Sequence, residues 1–188
     1  MKRHFFWVFA VLTLGWMTFI FCMSAQTITE SKETSGGLTL FLAELLYGKG
    51  TVLTEAMLEP ISVLVRKTAH MVAYAVLFLL SFGTMHFYKS VFFEKWKWLL
   101  AYGWAVFYAM TDEVHQIFSG RGALVADVII DAMGALIGLV VLFGIVKFLT
   151  SKGSLGKIGW LFTTLITAFF IYALAFLFFQ REVLFTVI

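Results

Sequence analysis

Apolar residues run on for stretches at a time along most of this chain, without the strict alternation of a half-buried strand, and polar positions gather in short intervals between the runs. Five runs, Phe5–Met23, Ile61–Phe87, Trp98–Ile117, Leu124–Leu149 and Ile158–Phe179, each reach the roughly 20 residues a helix needs to cross about 30 Å of hydrocarbon. The pattern predicts an all-α fold, a polytopic transmembrane helical bundle of about five spans. The interval from Ser24 to Pro60 far exceeds a usual connection of about 4–6 residues and should hold structure of its own. Within it, Leu38–Leu46 is too short to span and too apolar to float free, which predicts an interfacial or re-entrant helix. Gly36-Gly37 and Gly48-Lys49-Gly50 read as its breaks. A second short helix is expected at Thr51–Glu59, with Pro60 opening the next span at a first-turn position.

Composition agrees with the pattern. Of 188 residues, 61% are hydrophobic and 13% charged, against about 25% charged in an ordinary soluble domain. The net charge of +3 and pI near 9.0 do not point to nucleic acid, because the basic residues sit in short loops beside apolar runs. The amino terminus resembles a signal peptide, but its apolar run exceeds the roughly 7–15 residues of a signal core and reads as a retained first helix. The single cysteine, Cys22, falls in that run and reads as a packing residue.

Charge bias orients the spans. Lys2, Arg3, Lys89, Lys95, Lys97, Lys147, Lys152 and Lys157 fall on one side, opposed only by Glu94, which makes that side cytoplasmic. Trp96, Trp98 and Trp160 fit an aromatic belt there. Five spans then put the amino terminus inside and the carboxyl terminus outside. Nearly all the acids, and the 24–60 interval, fall on the outer side.

Candidate chemistry lies at those outer ends. An ionisable residue near the centre of a bilayer costs at least about 2.5–3.5 kcal/mol, so each needs a partner, water or a function. Arg66, His70 and Tyr74 share one face of the second span at i, i+4 spacing. Asp112, His115 and Gln116 share a face near the end of the third, beside Glu113. Asp127 and Asp131 open the fourth, after Arg121 in a Gly-flanked turn. Spans two and four begin on the side where span three ends, so these stretches meet at one depth, level with Ser24 and Gln26. The expected pocket is walled by His70, Asp112, Glu113, His115, Asp127 and Asp131, with Arg66 and Arg121 as its cations. With neutral histidines and Lys67 included, one excess negative charge remains. A divalent cation is therefore a candidate cofactor, through carboxylates for magnesium or manganese and with imidazoles for zinc.

Bland alternatives stand beside this. The acids pair in principle with Arg66, Lys67 and Arg121 as helix-locking salt bridges. Lys67 also reads as a snorkelling residue, and His70 as a helix–helix hydrogen-bonding group. Gly134 and Gly138, a small-xxx-small pair, indicate close helix packing.

The same residues carry a resemblance. Arg66-Lys67-x-Ala69-His70-x-x-x-Tyr74, then Thr111-Asp112-Glu113-x-His115-Gln116-x-Phe118, then Gly120-Arg121, Asp127 and Gly134 resemble the VanZ-like family, as does the Ser24-x-Gln26 exit from span one. Asp131 departs from it, since an asparagine is more usual there. The resemblance runs to about Leu149, leaving 150–188 as a cytoplasmic loop and an additional helix. It implies an integral membrane protein of the cell envelope, whose name-giving member is associated with resistance to the lipoglycopeptide teicoplanin. Two functions follow as expectations. One is chemistry on the head group of an outer-leaflet lipid or lipid-linked envelope precursor. Asp112, Glu113, His115, His70 and Asp127 would then be catalytic, and Arg66, Arg121, Gln116, Tyr74, Ser24 and Gln26 would bind substrate. The other is non-catalytic binding of lipid or lipoglycopeptide. Proton-coupled transport fits less well, since the polar residues cluster on one side with no ladder across.

Overall fold

The computed structural model describes residues 2–118 and 125–186. It is all-helical over these residues, with α1 Lys2–Ser24, α2 Ile28–Tyr47, α3 Glu55–Phe87, α4 Val91–Phe118, α5 Val125–Thr150 and α6 Ser154–Thr186. Among the described residues four helices are long and apolar enough to cross a membrane: α1, α3, α5 and α6. The fifth expected span, α4, is 28 residues long but falls outside that class. Glu94, Lys95 and Lys97 near its start and Asp112 and Glu113 near its end lower its apolar character, with Trp and Tyr between them.

α3 is the hub and packs against α1, α2, α4 and α5, while α6 packs on α5. Small residues set the closest approaches. A Cβ on Gly134 would lie 2.3 Å from the Met71 carbonyl oxygen, and one on Gly138 2.6 Å from that of Ala75, so the expected glycine pair presses α5 onto the backbone of α3. α4 turns an alanine stripe inward, Ala101, Ala105 and Ala109, and the same stripe continues into buried Asp112 and Gln116. α1 is tied to α3 by Trp16, whose Nε1 donates to the Ala73 carbonyl at 2.9 Å, and by a Thr13–Thr84 hydroxyl pair at 3.0 Å. It is tied to α4 by the Tyr108 hydroxyl, which donates to the Met17 carbonyl at 2.6 Å.

The 24–60 interval corrects the expected breaks. α2 is one continuous helix of 20 residues that runs straight through Gly36-Gly37. Its start is fixed by a capping box in which the Glu30 amide donates to Thr27 Oγ1 and the Thr27 amide donates to the Glu30 carboxylate at 2.8 Å. That amide holds the Glu30 carboxyl below its ordinary range. Further along, Ala43 packs against Ile61 and Val65 of α3. Anchored at both ends, the helix absorbs two glycines that each cost about 1 kcal/mol. The second pair of glycines does end it: Gly48 and Gly50 take φ of 93° and 89°.

Pro60 does not open a helix. α3 starts at Glu55, so the expected short helix at Thr51–Glu59 is replaced by an irregular stretch and the first turns of α3, with Pro60 inside. The proline forgoes a hydrogen bond one turn in from the helix start, and the burial of Ile61, Ser62 and Val65 directly after it carries the helix through.

The two ends of the bundle differ chemically. At one, Phe5 stacks on Phe87 at 5.2 Å, Lys97 Nζ lies 2.6 Å from Glu94, and Lys147 Nζ sits over the Trp160 ring at 5.7 Å. Asp112 and Glu113 of α4 and Asp127 and Asp131 of α5 lie toward the other.

Candidate functional site

Three helices deliver three ionisable side chains to one point. His70 comes from α3, Asp112 from the inward stripe of α4, and Asp131 from the face of α5 that continues into Gly134 and Gly138. One ligand atom from each lies within 4.8 Å of the other two. Asp112 and Asp131 are only 3% and 1% exposed, whereas the His70 side chain is 29% exposed.

Around this triad the polar groups are fixed unequally. Ser24 Oγ, at the last residue of α1, donates to Asp112 Oδ2 at 2.7 Å, and Gln116 Nε2 reaches the same oxygen at 3.4 Å. His70 Nδ1 stands 3.6 Å from Asp131 Oδ1, beyond a direct hydrogen bond. Among the described residues, Asp112 Oδ1, Asp131 Oδ2 and the hydroxyl of fully buried Tyr74 have no hydrogen-bond partner. Among the described residues neither aspartate pairs with a lysine or arginine, because the nearby cations are engaged elsewhere. Lys67 bonds Asp127, and Arg66 lies 3.9 Å from Glu59, which also holds Lys32 at 2.5 Å.

A cleft of about 290 Å³ opens beside the triad between α1, α2 and α3. Ser24, Gln26, Arg66 and His70 supply its polar lining, together with Ser31, Thr34 and Ser35 of α2. Its apolar walls are Phe19, Ile20, Met23, Leu38 and Val65. Gln26 accepts from Thr34 Oγ1 at 3.5 Å, joining the α1 exit to α2.

The expected site residues thus separate into groups. His70, Asp112, Asp131, Ser24 and Gln116 converge, with Tyr74 one turn along α3 from His70. Arg66 and Gln26 line the adjoining cleft. Asp127 lies apart in its ion pair with Lys67, so the second acid of α5, not the first, stands beside His70. That pair is the salt bridge that stood beside snorkelling as a reading of Lys67. Glu113 is buried next to Asp112 but points from a different side of α4. His115 stacks on Phe21 with ring centroids 3.9 Å apart and is not one of the three converging ligands. Arg121 lies outside the described residues.

Sequence reasoning missed the α2 wall and the role of Glu59 as partner to two cations. The wall had a signal: Ser31, Thr34, Ser35 and Leu38 fall at i, i+3, i+4 and i+7, following the Thr27-x-x-Glu30 cap signature.

No curated protein and no solved structure matches this chain. The model of one family, VanZ/LLP1, matches residues 9–150, which takes in most of α1 and all of α2 to α5 with every converging side chain and leaves α6 outside. The chain belongs to the VanZ/LLP1 family.

Proposed function

We propose that this membrane protein receives the anionic head group of a lipid, or of a lipid-linked envelope precursor, in the cleft between α1, α2 and α3 and acts on it at His70. The observation that carries this reading is the cleft itself. Its apolar walls suit acyl chains, and Arg66 on its lining suits a phosphate oxygen. Its volume of about 290 Å³ is near the lower end for small-molecule sites, about 300–1,000 Å³. Ser24 holds Asp112, and His70 is the member of the triad that lines the cleft, so proton transfer falls to His70. We place the lysine-rich end in the cytoplasm on charge bias, which puts the cleft at the outer leaflet and counts α4 as a fifth span. In the cell the consequence is altered susceptibility to lipoglycopeptides such as teicoplanin.

The test compares outer-leaflet lipids and envelope precursors from cells expressing the intact protein with those from cells expressing His70→Asn or Arg66→Gln. Loss of a chemically altered product in both variants, together with loss of any teicoplanin phenotype, is expected. Unchanged lipid chemistry in cells with and without the protein overturns the catalytic reading. A second reading, lipid or lipoglycopeptide binding without turnover, draws on the mostly apolar cleft wall. It predicts a phenotype that survives His70→Asn and fails when Leu38→Asp puts a charge in that wall.

A further inference from the structure

We propose that His70, Asp112 and Asp131 form a binding site for one divalent transition-metal ion, manganese or zinc. The site needs no lipid to exist, because all three ligands belong to the protein; an ion held there would take up the His70 imidazole as a ligand and assign proton transfer to its own bound water.

Two carboxylates almost wholly removed from water, with ligand atoms within 4.8 Å of each other and of an imidazole, repel one another unless a cation or a proton joins them. The described lysines and arginines do not. Lys67 is bonded to Asp127 and Arg66 leans toward Glu59. Nor do hydrogen bonds among the described residues complete the group, since one oxygen of each aspartate finds no donor there although both residues are buried. Native interiors rarely leave buried acceptors in that state without an ion or other partner to meet them.

The spacing identifies the partner. Nitrogen and oxygen ligands about 2.0–2.2 Å from a metal stand roughly 3–4.4 Å from one another. The 3.6 Å between His70 Nδ1 and Asp131 Oδ1 falls within that range while being too long for a direct hydrogen bond. A shared proton would draw such a pair closer. Ser24 and Gln116 both donate to Asp112 Oδ2 and hold that carboxylate in one orientation, the support that metal-ligating carboxylates commonly receive. One imidazole with two carboxylates is a mixed donor set. It suits manganese or zinc better than calcium or magnesium, which take oxygen alone. Because His70 also lines the cleft, coordination positions not filled by protein face that space.

The full-length protein, purified in detergent, is stripped with EDTA, equilibrated with MnCl₂ or ZnCl₂, desalted and assayed for metal by mass spectrometry. One ion per chain is expected, with a metal-dependent rise in Tm. Asp131→Asn and His70→Asn should each weaken binding by more than the roughly 10–100-fold that loss of a supporting residue costs. Asp127→Asn, outside the triad, should bind as the parent does. X-ray absorption on the zinc-loaded parent should show a single imidazole among oxygen ligands, a readout that needs no variant to fold. Substoichiometric metal with both ions, an all-oxygen shell, or Asp131→Asn binding like the parent overturns the proposal.

Discussion

Ser24 closes α1 and is 1% exposed, and its hydroxyl makes the shortest of the hydrogen bonds to Asp112. A buried hydrogen bond to a charged group contributes about 1.5–3 kcal/mol, and removing the donor leaves the carboxylate short of a partner. Ser24→Ala should therefore lower stability by about 1–3 kcal/mol, read as a fall in Tm of the purified protein. Ser24→Thr, which keeps the hydroxyl, should retain most of it. Equal losses in the two variants would mean that the hydroxyl contributes nothing and that packing at the α1 exit is what matters. The residue identities at this point were visible in the chain, because His70, Asp112 and Ser24 each interrupt or end an apolar run. Which acid of α5 meets His70 was not visible. Asp127 and Asp131 lie one turn apart on nearly the same face, and Lys67, one residue before Thr68 on α3, captures Asp127. Only the depth at which α5 packs against α3 distinguishes them.

At the scale of elements, glycines inside helices have opposite roles. Gly36 has open space where a Cβ would go, whereas a Cβ on Gly134 would overlap the Met71 backbone. Gly36→Ala should accordingly stabilise the protein by about 0.5–1 kcal/mol through backbone entropy. Gly134→Ala should destabilise it by about 1–3 kcal/mol or more, because neither helix backbone is free to yield. Thermal unfolding of the two variants side by side checks the pair, and a gain in Tm for Gly134→Ala would contradict the close α3–α5 approach. Asp131 is one turn from Gly134, so the same substitution should also displace that carboxylate from His70. Composition places a break wherever glycines adjoin. What keeps α2 whole across Gly36-Gly37 is its capped start and the burial of Ala43 against α3, and neither is a property of the glycines.

For the whole molecule, the separation of a lysine-rich end from an acid-rich end follows from the alternation of helix direction. α3 and α4 exchange ends at Phe87–Val91, and α5 and α6 at Thr150–Ser154, so the lysines flanking those turns gather together. The orientation proposed from this bias has a direct test. In a Cys22→Ser background, Lys49→Cys should react with a membrane-impermeant maleimide in intact cells. Lys89→Cys and Lys152→Cys should be protected until the cells are opened. The reverse pattern would invert the topology and move the cleft to the inner leaflet.

The sequence by itself determined the class and the cast. Continuous apolar runs leave water-exposed alternatives unstable, so helices in a membrane follow from composition and run length alone. The cost of charge in hydrocarbon marks candidates without any coordinates, a wider set than the three that converge, since it also holds Glu113, His115 and Asp127. The tertiary structure decided which of them touch. Contact between α3, α4 and α5 depends on relative depth and rotation, and these are set by Gly134 against Met71, Gly138 against Ala75 and the alanine stripe of α4. Small residues report that helices come close, but not to whom or at what height. For that reason the triad of His70, Asp112 and Asp131, and the cleft beside it, emerged only when the helices were packed.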